Sequence, residues 1–293
     1  NSIAFALCIA ALASCGSDSK APMPPASQDS LQSLGKRLFF STILDQNGQK
    51  SCASCHNPTS GFSAGVSSHA GPNPDIPARN APSLWHLSYK KRFNWDGGVP
   101  SLPQQVLVPL HPTGDFETLP QAAVERWNKA HPHETPIDLA TLCLALEAFQ
   151  KSIPVPATPW DTYSKQAKKM NKNAKLAWQE FNQKGCASCH TPPSFTDGKF
   201  HNTGLPDLTG DEGRYRITGN PEDRYAFGTP SLRGLNATTP YFHDGRSFAL
   251  DSAVLMHYRG MHGRELSAES LARIMEVLQS LFVDSTQAQS HIP

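Results

Sequence analysis

The chain has almost no excess charge, since 26 Lys and Arg face 25 Asp and Glu across 293 residues. It has no basic block of the kind that neutralises phosphates, which sets nucleic acid aside as a partner. Apolar residues are scarce at 38%, too few for a large aliphatic core, and strand-like alternation is rare, so little β structure is expected. The one strongly apolar run, Ile3 to Ala13, is too short to cross a bilayer and has the length of a secretory h-region. It leads into Leu12-Ala13-Ser14-Cys15, which resembles a bacterial lipobox; an ordinary cleaved signal followed by a chance Cys is the other reading. No initiator Met or basic segment precedes the run, so the sequence is expected to begin inside the signal. Residues 1–14 are then a signal remnant, and the chain is periplasmic and lipid-anchored through Cys15.

What the chain does have is 25 Pro, 20 Gly and seven Cys. Four of those Cys form two copies of one motif, Cys52-Ala-Ser-Cys55-His56 and Cys186-Ala-Ser-Cys189-His190. Two thiols three apart can each add to a vinyl group of one porphyrin, and the adjoining His then lies under the iron. Zinc would want paired Cys/His clusters, and a dithiol redox motif a βαβ setting. The repeated trailing His favours two covalently bound haem c groups, whose porphyrins would supply much of the missing apolar core. Cys8 falls in the apolar leader. Cys143 sits among Leu139, Leu142, Leu146 and Phe149 at helical spacing, as a buried reduced thiol would.

The organisation follows from these landmarks. Residues 15–29, Pro-rich and polar from Lys20 to Gln28, read as a tether. Leu31, Leu34, Leu38 and Phe39 predict a helix before the first motif, and residues 137–153 and 173–184 predict two more. The irregular stretch from Asn57 to Ala81 is long for an idle loop and is expected to serve a site. Ile153-Pro-Val-Pro-Ala-Thr-Pro159 cannot be helical and marks a boundary. Beyond a turn-rich segment, Thr191 to Tyr241, helices are expected near 250–258 and 267–282. The expected architecture is mainly α, with two cytochrome-c-like haem domains with long loops and little β structure: 30–160, 161–286, and a tail at 287–293.

Six segments, in order, resemble the bacterial di-haem cytochrome c peroxidase family, including its MauG-like branch. They are Gly35-Lys-Arg-Leu-Phe-Phe40, Arg79-Asn-Ala-Pro-Ser83, Asn94-Trp-Asp-Gly-Gly98, Phe195-Thr-Asp-Gly-Lys-Phe-His-Asn-Thr-Gly204, Thr229-Pro-Ser-Leu-Arg233 and Pro240-Tyr-Phe-His-Asp-Gly245. The resemblance covers nearly all of Leu31 to Phe282. It implies that peroxide reacts at the N-terminal haem and that the C-terminal haem stores and relays electrons, with Trp95 between them. It also implies a peroxide pocket of a Gln, a Pro four residues on and a Glu ten residues on. Gln105 and Pro109 match, but the tenth position is Asp115, one methylene shorter, with Glu117 as a fallback. A carboxylate there can move a proton between the two peroxide oxygens; Thr113-Gly114-Asp115 also has the chemistry of a plain turn.

The resemblance further implies axial ligands. His69 lies in the loop that caps the N-terminal haem in many relatives, at an unusual offset, and a solvated loop His is the alternative. On the C-terminal haem an ungapped match selects His257, flanked by Met256 and Tyr258, either of which a one-residue slip would choose. A calcium ion between the domains would use Asn80, Thr238 and Pro240, residues that could also simply form turns. His243 and His201 fall in matching segments without an assigned role. The function implied is a periplasmic di-haem peroxidase that reduces hydrogen peroxide with electrons from a small cytochrome c or cupredoxin, with a homodimer among the assemblies the resemblance implies. The rivals are a MauG-like enzyme that oxidises Trp or Tyr of a partner protein and a plain electron-transfer cytochrome.

Overall fold

The computed structural model describes residues 28–67, 78–85, 87–165 and 170–284. The leader, Cys15, His69 and His86 lie outside them. Among the described residues are eleven α-helices and one two-stranded sheet. Helix α1 (Gln28–Phe40) precedes the first motif, which forms the short helix α2 (Cys52–Cys55). Then come α3 (Leu102–Gln105), α4 (Pro120–Ala130), α5 (Leu139–Ser152), α6 (Pro159–Lys165) and α7 (Lys172–Gln183). The second motif forms α8 (Cys186–Cys189), followed by β1 (Phe200–Asn202), α9 (Tyr215–Thr218), β2 (Ala226–Gly228), α10 (Leu250–His262) and α11 (Ala268–Gln279). No helix among the described residues is long and apolar enough to cross a membrane.

Helices α1 and α5 build one core. Leu38, Phe39, Leu142, Cys143, Leu146 and Phe149 are buried between them, and Phe39 packs on both Phe62 and Phe149. The backbones approach closely: a Cβ on Gly35 would stand 1.8 Å from the Ala145 carbonyl oxygen. A second core gathers Trp160, Phe181, Phe195, Tyr258, Ile274, Leu278 and Leu281 around α7, α10 and α11. The chain then returns, so that Val283 joins the first core and exchanges two hydrogen bonds with the Asn236 side chain. The strands β1 and β2 are antiparallel, with His201 opposite Phe227. Helix α4 was not foreseen, because its apolar face of Ala123, Val124 and Trp127 is short and follows a run of turn residues.

The two motifs belong to a longer duplication. Pro82 and Pro230 are 148 positions apart (230 − 82 = 148), and so are Asn94 and Phe242, Gly97 and Gly245, and Leu102 and Leu250. Geometry repeats along with sequence position. Asn94 and Phe242 both have positive φ, at 62° and 73°. The bridge Phe93↔Val99 recurs as Tyr241↔Ser247. Across the interface, the Asn80 N–H donates to the His243 carbonyl at 2.7 Å, and the counterpart Gly228 N–H donates to the Trp95 carbonyl at 2.7 Å. Trp95 and His243 are therefore equivalent residues facing each other across an approximate two-fold axis, with ring centroids 6.5 Å apart.

Candidate active site

Each motif supplies the same proximal arrangement. The His56 Nδ1–H donates to the Phe62 carbonyl at 3.1 Å, and the His190 Nδ1–H donates to the Phe195 carbonyl at 3.1 Å. Both Phe residues are fully buried at positive φ, 54° and 53°, which aims the carbonyl at the ring. The hydrogen bond fixes the tautomer and leaves Nε2 as the free lone pair, as an iron ligand requires. Below each loop a serine closes the turn: Ser83 Oγ donates to the Gly61 carbonyl and Ser231 Oγ to that of Ser194, both at 2.6 Å. Burial keeps both histidines neutral by pushing their pKa values down. It pushes the Cys52 thiol up to about 12 and that of Cys186 to about 11. A dithiol redox pair needs the opposite, a thiol drawn toward neutral pH. Among the described residues Cys52 and Cys55 also lack the further ligands of a zinc site.

The distal sides differ, and one residue makes the difference. Helices α3 and α10 start at equivalent positions, Leu102 and Leu250, but α3 stops at Gln105 while α10 runs on to His262. Pro109 occupies the position equivalent to His257 (257 − 148 = 109). A proline there cannot donate to the Gln105 carbonyl, which the Val108 N–H takes instead at 3.1 Å, so the chain leaves the helix. In the second half the uninterrupted helix brings His257 opposite His190, with ring centroids 6.3 Å apart. A metal–imidazole bond of about 2 Å puts a ring centre roughly 3 Å from the metal, so two imidazoles on one ion stand about 6 Å apart. The gap suits one iron. Burial and the neighbouring His190 push the pKa of His257 down to about 4, which keeps the ring neutral and able to ligate.

His257 and His190 line a cavity of about 330 Å³ with Cys186, Cys189 and Tyr258, within the roughly 300–1,000 Å³ of cofactor pockets. Met256 is not on this wall; Tyr258 is, with its buried ring against His262 at 4.4 Å.

In the first half, the segment that carries Gln105, Pro109 and Asp115 folds back on itself. The Phe116 N–H donates to the Pro109 carbonyl at 3.0 Å, and Gly114 lies so close that a Cβ would meet the Val108 carbonyl oxygen at 2.4 Å. The Gln105 Oε1 is buried and has no hydrogen-bond partner, a cost of about 1–3 kcal/mol unless a ligand satisfies it. The charge of Asp115 reaches both Cys55 and His56, and its carbonyl is held by Lys50 Nζ at 3.1 Å. Glu117 is exposed.

Between the halves, the Trp95 Nε1–H donates to the Asn80 carbonyl at 2.8 Å, while His243 stacks on Phe227 at 3.6 Å. Arg79 clamps this junction, donating to Asp211 at 2.7 and 2.9 Å and to Asp96 at 2.6 Å. The Asn80 Nδ2 donates to the Pro240 carbonyl at 2.7 Å, and its Oδ1 is buried without a partner. Sequence reasoning missed Arg79, Asp96 and Asp211 as a unit, and it left His243 without a role; the 148-residue repeat was the signal that would have paired His243 with Trp95.

Residues 29–169 match the family model described as di-haem cytochrome c peroxidase. The chain is 35% identical over 240 residues to the methylamine utilization protein MauG of Methylorubrum extorquens, covering 77% of this chain and 67% of that protein. It belongs to the di-haem cytochrome c peroxidase family. Cytochrome c551 peroxidase of Pseudomonas aeruginosa is 28% identical over 267 residues, covering 85% of this chain and 77% of that protein. Among solved structures, a MauG-like protein associated with microbial copper homeostasis superposes with a TM-score of 0.74 at 23% identity, covering 94% of this chain and 97% of the other. The di-haem peroxidase BthA of Burkholderia thailandensis gives 0.73 at 20%, covering 92% and 90%. These two likenesses establish the mainly helical fold, and family membership implies two haem groups.

Proposed function

We propose that this family member is a periplasmic peroxidase that reduces hydrogen peroxide to two waters with two electrons and two protons, drawing the electrons from a small cytochrome c or cupredoxin. The observation that carries this reading is the asymmetry of the two distal sides: a proline where the other half has His257, beside a buried Gln105 oxygen with no partner. When bound, haem supplies an iron that takes a peroxide oxygen and holds oxidising equivalents. The polypeptide does the rest. Gln105 orients the peroxide by accepting a hydrogen bond from its O–H at Oε1 or by donating one through the amide N–H. Asp115 takes the proton from the inner oxygen and returns it to the outer one, so that water leaves rather than hydroxide. Trp95 and His243 fill the junction between the two centres, where a packed aromatic pair also carries an electron. His69 would cap the first haem in the resting enzyme.

A second reading draws on His257. A His opposite His190 gives a lower potential than Met would, which suits an enzyme that oxidises Trp or Tyr of a partner protein. Stopped-flow mixing with peroxide separates the readings. Reaction of the half-reduced protein alone supports the peroxidase, reaction of the diferric protein supports the MauG-like activity, and reaction of neither leaves a carrier.

The junction also suits a calcium ion. Turning the Asn80 amide by half a revolution would aim Oδ1 beside the Pro240 carbonyl, with Thr238 adjacent, an all-oxygen donor set of the kind calcium takes. Removing calcium with EGTA should lower Tm, and N80A should abolish that response. Attachment to the membrane through Cys15 and assembly as a homodimer complete the proposal; radiolabelled palmitate incorporation and sedimentation velocity test them.

A further inference from the structure

The wall of the cavity lined by His190 and His257 carries several cations, and all but one of those drawn into the protein are already paired. Arg233 is bound to Asp161 at 2.6 Å, Arg246 to Asp244, and Lys184 to Glu180 at 3.4 Å. Lys91, Arg92 and Lys199 are exposed. Lys90 is the exception: it is partly buried on the cavity wall and forms no ion pair with the described residues.

Its position follows from the duplication. The 3₁₀ turn Leu87–Tyr89 is equivalent to Leu235–Ala237, so Lys90 corresponds to Thr238 (238 − 90 = 148), and each backbone N–H closes the same turn, at 3.0 Å and 3.3 Å. Thr238 reaches across from the second half to pack beside Gly61, on the loop after the first motif. Lys90 lines the same cavity as His190 and His257, and the carbonyl of its neighbour Tyr89 lies 4.0 Å from a Cβ built on Gly198 of the second half. Its charge is also felt at His56.

We propose that Lys90 is the counter-ion for a propionate carboxylate of the second haem, held across the interface by the first half of the chain. Drawing an ammonium out of water without an anion is unfavourable, and burial here pushes the Lys90 pKa down to about 8. Among the described residues no carboxylate pairs with Lys90, whereas a haem bound at Cys186, Cys189 and His190 would bring two into this cavity. The corresponding Thr238 carries no charge, so the first haem has no equivalent partner. Neutralising a propionate removes negative charge near the iron and raises its potential, which opposes the lowering expected from His257.

The inference rests on the two-haem reading, which pyridine haemochrome analysis of the wild-type protein checks separately. The test is spectroelectrochemical titration of K90Q, K90T and K90R in the haem-loaded protein. K90T places at this position the residue the second half already tolerates there. The midpoint potential of the second haem should fall in K90Q and K90T, more than that of the first, and should become pH-dependent between pH 5 and 8 as the freed propionate titrates. K90R should keep the wild-type value. A variant lacking the charge that binds two haems at unchanged potential overturns the assignment, as does a K90R potential displaced as far as that of K90T.

Discussion

At the residue scale, the two centres are made unlike by single side chains placed on equivalent backbone. The proposed mechanism gives Asp115 the proton transfer, so D115N, which keeps the shape and removes the base, should reduce kcat/KM for peroxide by about 10²-fold or more. Steady-state assay with a reduced cytochrome donor measures it, and wild-type turnover by D115N would refute the role. His257 was legible in the sequence only as one of three neighbours. The helix separates them by about 100° per residue; His257 stands opposite His190 and Met256 is off the cavity wall. H257M should therefore give a longer-wavelength thioether band in the ferric spectrum and a higher potential at the second haem. An unaltered spectrum would mean that another residue binds the iron.

At the element scale, helix length decides which residue faces each motif. The periodic runs that predicted α1, α5, α7, α10 and α11 were visible because each buries one apolar face, as with Leu38 and Phe39 of α1 against Leu142 and Leu146 of α5. The early end of α3 could be read from Pro109 only once α3 and α10 were seen to be equivalent. The contact between α1 and α5 depends on Gly35, where any side chain meets the Ala145 carbonyl. G35A should cost about 1–3 kcal/mol by overpacking. The Tm measured by circular dichroism should drop by roughly 2–4 °C for each kcal/mol. An unchanged Tm would show that the helices can part without loss.

At the scale of the whole molecule, the halves are joined by the Arg79–Asp96–Asp211 cluster, whose members lie 132 and 17 positions apart in sequence from Arg79. Burial opposes the charge on Asp211, but Arg79 and the Gly213 N–H outweigh it and hold the carboxyl below its ordinary value. A depressed carboxyl contributes stability above its unfolded pKa of about 4 and loses it as pH falls through the folded value. The wild-type protein should thus lose Tm as pH drops from 4 toward 2. D211N should start lower, because it leaves Arg79 partly uncompensated at a cost of about 3–5 kcal/mol, and should lose less over the same interval. Parallel acid profiles for the two proteins would remove the cluster from the account of acid stability.

Local sequence alone marked two haem-attachment motifs and the histidine beside each, because thioether attachment calls for a fixed spacing that needs no tertiary context. It also determined the main helices, through their apolar period. Tertiary folding alone set His257 opposite His190 and filled the junction with Trp95 and His243. Those arrangements join residues far apart in sequence, 67 positions for His190 and His257 (257 − 190 = 67) and 148 for Trp95 and His243 (243 − 95 = 148): the first was one of three candidates in sequence, and Trp95 opposite His243, Asn80 against Pro240 and Lys90 on the far half's cavity wall leave no local pattern to read.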